Sequence, residues 1–224
     1  MNRARATATV ILAFVFGLGF TTSLHAGTFS TLAFDNATVQ PGGPRHTDPP
    51  PDYGKIFFNM EGYSNGAFSS FAVADFDSTM LGIGFTVTQI NSLSIVLTQD
   101  NAAFTTDGPI NFYLSEDTTT SIQFDAPSPI MFDYPPDSQG VDGQLQPLHA
   151  LGSGSFMQTA TGDPDTYNLT LDDAGTQYLI NQINSGGVIR IVITPGSPDV
   201  SATYAGYSND MYAGPVIAVG ASGG

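Results

Sequence analysis

The chain has no cysteine, no tryptophan and very little positive charge. Without cysteine there is no disulfide framework and no thiolate metal site. Without tryptophan it lacks the broadest aromatic side chain for a flat polysaccharide platform. Five Lys and Arg stand against 20 Asp and Glu, a net charge of −15. Such a surface repels nucleic acid and anionic lipid, which excludes both as partners. Glutamate is scarce as well, because Glu61 and Glu116 are the only two among the 20 acids. Aspartate favours turns and loops where glutamate favours helices. The acids therefore mark connections before they mark chemistry.

Long apolar runs are also missing, apart from one near the start. Arg3 and Arg5 precede Val10–Phe20, and Thr21, Thr22 and Ser23 follow. Basic, apolar and polar regions in that order read as a secretory leader. The apolar run falls short of the roughly 20 residues of a spanning helix. Cleavage is expected after Ala26, leaving a secreted or cell-envelope protein with no membrane span. The leader takes two of the five basic residues, so Arg45, Lys55 and Arg190 face all 20 acids, a net charge of −17. Residues 27–219 are expected to form a single domain, with 220–224 as a loose tail.

What the chain does have is a period of two. Leu93, Ile95 and Leu97 alternate with Ser94, Val96 and Thr98. The same holds for Ile110, Phe112 and Leu114, for Tyr167, Leu169 and Leu171, and for Ile189, Ile191 and Ile193. Alternation of this kind puts one set of side chains in a core and the other outward. Arg190 falls on the second face of its strand, where a structural ion pair is expected. Further short strands fit Thr28–Phe34, Lys55–Met60, Phe68–Phe76, Phe85–Thr88, Ser121–Phe124, Gly154–Thr159, Val200–Tyr204 and Pro215–Val219. Gly, Pro, Asn and Asp punctuate them. The pattern predicts an all-β fold, a jelly-roll-like β-sandwich with one short helix near the C-terminus.

That helix spans Asp172–Ile183. Asp172 or Asp173 can cap it, Leu179, Ile180 and Ile183 form its apolar stripe, and Gly186 and Gly187 stop it. Two long loops, Pro41–Asp52 and Met131–Pro147, are rich in Pro and Gly.

No residue pattern carries a reaction. Leu151-Gly-Ser-Gly-Ser-Phe156 does not match a nucleophile elbow, and His149 reads as a loop residue. Asp75 and Asp77 share a strand face but read as a solvated strand end, and Glu116-Asp117 reads as a turn. His46 and His149 without cysteine do not make a zinc site. Calcium fits better, through hard oxygens in loops, and Asp100, Asn101 and Asp107 are the candidate ligands of a structural Ca²⁺. Tyr204, Tyr207 and Tyr212, with Tyr53 and Tyr134, are the candidate aromatic contacts to a sugar.

The C-terminal third adds a resemblance. The run Val188-Ile-Arg-Ile-Val-Ile193 follows the helix, then Val200-Ser-Ala-Thr-Tyr-Ala-Gly-Tyr-Ser208 and Ala213-Gly-Pro-Val-Ile-Ala-Val219. This resembles the end of DNRLRE-type jelly-roll domains, which are similar to carbohydrate-binding modules. It also resembles exported bacterial proteins of the PEP-CTERM type. Phe71-Ala-Val-Ala-Asp-Phe76 and Ile110-Asn-Phe-Tyr-Leu-Ser-Glu-Asp117 fit the same likeness. The eponymous Asp-Asn-Arg-Leu-Arg-Glu string and a Pro-Glu-Pro sorting motif do not occur in it. The resemblance implies a non-catalytic module whose partner is a polysaccharide or another extracellular matrix component. The alternatives are a glycan hydrolase with an unidentified acid pair and a purely structural surface or biofilm protein.

Overall fold

A computed structural model describes residues 24–46, 54–101, 103–131 and 145–224. Twelve strands and one α-helix lie among them. The strands are β1 His25–Leu32, β2 Asp35–Gln40, β3 Gly43–Pro44, β4 Phe57–Glu61, β5 Phe71–Asp77, β6 Val87–Thr98, β7 Gly108–Ser115 and β8 Leu148–Phe156. After them come β9 Pro164–Leu169, helix α1 Asp173–Ser185, β10 Val188–Pro195, β11 Ser201–Ala205 and β12 Val216–Gly223.

The pairing is nested. β7 pairs with β8, β6 with β9, β5 with β10, β4 with β11 and β1 with β12, all antiparallel. One long hairpin of this kind, rolled up, gives a jelly roll. Rolling brings β12 against β6 and β10 against β7, producing sheets ordered β1-β12-β6-β9 and β3-β2-β5-β10-β7-β8. The β4–β11 rung belongs to neither main sheet. It is tied to the β5 side through the Glu61–Ser70 bridge and to the end of β6 through Gln99–Tyr204.

The core fills the space between the sheets. Ile95 and Leu97 of β6, Phe112 of β7, Ile191 of β10 and Ile217 of β12 are all buried there. The helix caps this core with Leu179, Ile180 and Ile183. Asp172 accepts the Gly175 N–H at 2.6 Å, and Gly186 closes the helix at φ 71°. Helix and stop therefore fall where the sequence puts them.

β5 and β10 are buried on both faces. Chain from the β7–β8 connection covers their outer face: Ile122, Ile130 and Leu145 pack on Val73, Val192 and Val39 as a second small core. This cover explains one departure from the sequence reading, and helix α1, packed on His149, explains a second. Asp75 is not a solvated strand end; it is buried and meets Arg190 in a two-pronged pair, Nε–Oδ1 and Nη2–Oδ2 both 2.7 Å. The remaining Arg190 nitrogen, Nη1, donates to the Asp117 and Thr120 carbonyls at 3.0 and 2.8 Å. His149 is not a loop residue either. It lies in β8, buried, with Nε2 2.8 Å from Glu116 Oε1.

Other boundaries shift too. Ser121–Phe124 makes no strand, only a bridge from Ser121 to Pro129. Residues 220–223 are not a tail: β12 runs through them, and Ala221 is wholly buried. The expected leader lies mostly outside the described residues, while His25 and Ala26 open β1 opposite Gly223 and Ser222. Parts of both Pro-rich loops, with Tyr53 and Tyr134, also fall outside them. Among the described residues no helix is long and apolar enough to cross a membrane.

Candidate functional site

The extra rung β4–β11 forms the floor of a cleft of about 340 Å³. Strand alternation decides which side chains face it. Phe58 and Met60 point into the core and are fully buried. Phe57, Asn59 and Glu61 therefore point the other way and line the cleft. Thr203 of β11 stands directly opposite Asn59 and lines it as well. Arg45 lies over the Phe57 ring, its guanidinium carbon 5.5 Å from the ring centre.

Two aromatic side chains rise above this polar floor. Phe68 ends a 3₁₀ turn, Tyr63–Phe68, and is 66% exposed. Phe104 comes from the β6–β7 loop and is 95% exposed. Its backbone sits at φ 64°, the left-handed region that a side chain normally avoids. The loop is held there by Ser201: its hydroxyl donates to the Phe104 carbonyl at 2.7 Å, and its backbone exchanges two hydrogen bonds with Thr106. Holding a phenylalanine in this conformation and almost fully in water has no packing reward. Strain of this kind collects where a surface binds something.

The floor is electrostatically tuned. Asn59 Nδ2 donates to Glu61 Oε1 at 3.1 Å, which fixes the amide orientation. Asn59 Oδ1 is then a buried acceptor with no partner. Leaving such an atom unpaired costs about 1–3 kcal/mol. Burial pushes the Glu61 carboxyl above its ordinary range, with Asn59 and Arg45 partly opposing the shift. Among the described residues lining the cleft, Glu61 is the only acid and Arg45 the only base.

The side chains singled out from sequence fall elsewhere, except Asn101, which lines the cleft. Tyr204 is no surface platform. It is fully buried, edge-on to Phe156, with its hydroxyl 2.6 Å from that of Tyr167 and 3.0 Å from Asp165 Oδ2. Burial pushes the Tyr167 phenol up to about 12, and that of Tyr204 higher still, so both stay protonated. Tyr207 is 41% exposed and lies over Lys55, while Tyr212 packs on Gly162. The three do not form one face. Asp100, Asn101 and Asp107 are likewise spent separately: they accept from Asn209 Nδ2, Ala103 N and Gln158 N at 2.9, 2.8 and 2.9 Å. Among the described residues no three His, Asp or Glu side chains gather as metal ligands.

The cleft was not among the sequence expectations, although its floor strand was. Phe57-Phe58-Asn59-Met60-Glu61 alternates, and its outward set carries one aromatic, one amide and one acid. Phe104 gave no signal, because its conformation depends on the contact with Ser201. No family model matches the chain, and no curated protein matches it.

Proposed function

We propose that this is an exported, non-catalytic binding module for neutral polysaccharide, with the β4–β11 cleft as its site. The observation that carries the reading is Phe104, displayed to solvent in a strained backbone above a floor of amide, hydroxyl, carboxyl and guanidinium groups. A sugar ring has apolar C–H faces and hydroxyl edges. Phe104 and Phe68 suit the faces; Asn59, Glu61, Asn101 and Thr203 suit the edges, since hydroxyls both donate and accept.

Charge favours a neutral glycan. Arg45 is offset by Glu61 inside the cleft, and the surrounding surface is acidic, so a uronate polymer meets repulsion. Chemistry favours binding over hydrolysis. Glycosidases flank the scissile bond with two carboxyl groups, and only Glu61 lines the cleft among the described residues.

Affinity electrophoresis against neutral and uronate polysaccharides tests this. At least one neutral polymer should retard the protein, and Phe104→Gly and Asn59→Ala should each release it. Retention by uronates alone, or retention that both variants leave intact, would overturn the site. Release of reducing ends from a bound polymer would overturn the non-catalytic reading.

A further inference from the structure

Lys55 and Asp35 meet under the outer face of the six-stranded sheet. Their side chains are 6% and 11% exposed. Lys55 Nζ contacts Asp35 Oδ1 directly. Gln123 bridges the two: its Oε1 accepts from Lys55 Nζ at 2.9 Å, and its Nε2 donates to Asp35 Oδ2. The Asn36 N–H adds a second donor to the carboxyl, 2.8 Å from Oδ1. The Tyr207 ring covers the amine, its centre 5.6 Å from Nζ. A nucleophile thus lies beside a carboxyl whose two oxygens both receive amide donors, in a buried site.

We propose that Lys55 and Asp35 condense to an intramolecular amide, a covalent staple between the start of β2 and the segment entering β4. The reaction needs no co-reactant. Proton transfer from the Lys55 ammonium to the Asp35 carboxylate frees the nitrogen lone pair and removes both charges. Burial also pushes the Asp35 carboxyl up, toward the protonated form that an amine can attack, with Lys55 opposing. The Lys55 Nζ lone pair then bonds to Asp35 Cγ, and the Cγ–Oδ1 bond breaks. Oδ1 leaves as water with two of the three ammonium protons; the third stays on the amide nitrogen. Oδ2 becomes the amide carbonyl oxygen, still held by Gln123 Nε2, the donor positioned for the developing oxyanion.

The neighbouring pair makes the contrast. Asp75 stands opposite Asp35 across the β2–β5 ladder, and Arg190 opposite Asp75. Arg190 cannot become a nucleophile under ordinary conditions, since its guanidinium stays charged. It gives an ion pair and nothing more. Only the lysine half of this cluster can react.

Intact-mass spectrometry of the folded wild-type chain, denatured for injection, tests the bond. With the N-terminus of the purified chain located by peptide mapping, the expected mass is that of its residues less one water, and protease mapping should yield a branched peptide joining the segments of Asp35 and Lys55. Lys55→Arg should restore the full mass. A full-mass wild-type chain overturns the proposal. So does a water loss that persists in Lys55→Arg, which would be a succinimide elsewhere. The branched peptide is sought in the wild-type chain, so the test stands even if the variant fails to fold. It is independent of whether the cleft binds sugar.

Discussion

Replacing Phe104 with glycine separates a ligand contact from a packing residue, because the two predict opposite stability changes. The φ of 64° costs an ordinary residue about 1–2 kcal/mol. Glycine removes that cost but gives back about 0.5–1 kcal/mol through its freer unfolded chain. The ring is 95% exposed, so little burial is lost. The variant should therefore be as stable as the wild type or more so, by about 0–1 kcal/mol. For a chain of this size that is an upward melting shift of at most about 4 °C. Binding should move the other way. A sugar covering one ring face shields on the order of 80 Å², worth about 2 kcal/mol and about 30-fold in affinity. Calorimetric melting and titration with the retarding polysaccharide read the two quantities. A variant destabilised by more than about 1 kcal/mol with unchanged affinity would refute the reasoning, because Phe104 would then be packing rather than displayed.

The buried pair and the buried acids give two further tests. Asp75→Ala leaves Arg190 charged and buried, which should cost about 3–5 kcal/mol and lower the melting temperature by roughly 10 °C; Asp75→Val with Arg190→Met should recover most of it, and a single variant losing under about 1 kcal/mol in denaturant melts would sink the assignment. Glu61 and Asp100 are both raised by burial above their ordinary values of 4.5 and 3.8. Between those values and the raised ones the native state holds more protons than the unfolded chain, so stability should rise as the pH falls from neutral into the mildly acidic range. Asp117 works in reverse: burial would raise it, but hydrogen bonds from Thr120 and Thr119 together hold it well below its ordinary 3.8, so its contribution is lost as the pH falls below that value. Denaturant melts across this range check both signs, and Glu61→Gln should flatten the upper slope; an unchanged slope in that variant would contradict the burial of its carboxyl.

Local pattern and long-range contact divide what the sequence could reveal. The strands of Leu93–Leu97, Ile110–Leu114 and Ile189–Ile193 were legible because each carries its own alternation. The helix was legible because cap, stripe and stop all lie within it. Asp75 was misread because the cover over its face comes from residues around 122–130, far along the chain. Tyr204 was misread for the same reason: its polar partners, Tyr167 and Asp165, come from β9. The cleft itself depends on the nesting that places β4 against β11, about 140 residues apart, and no window of sequence contains that.

The scarcity of positive charge gains meaning once Arg45, Lys55 and Arg190 are placed. Arg190 is buried against Asp75 and Lys55 against Asp35. Arg45 remains, and it faces the cleft. Among the described residues the exposed charge is therefore almost purely acidic, and Lys or Arg chemistry meets solvent at one place. An acidic exterior keeps copies of the chain apart and turns anionic polymers away. It does nothing to a neutral glycan, whose approach is then decided by shape and by the aromatic edge at Phe68 and Phe104. Composition and site geometry support the proposed neutral partner for different reasons: the composition disfavours anions, and the cleft sets exposed aromatic faces beside polar side chains. Neither argument needs a cysteine. Arg190–Asp75 holds the outer sheet face, and the Lys55–Asp35 contact joins β2 to the segment entering β4.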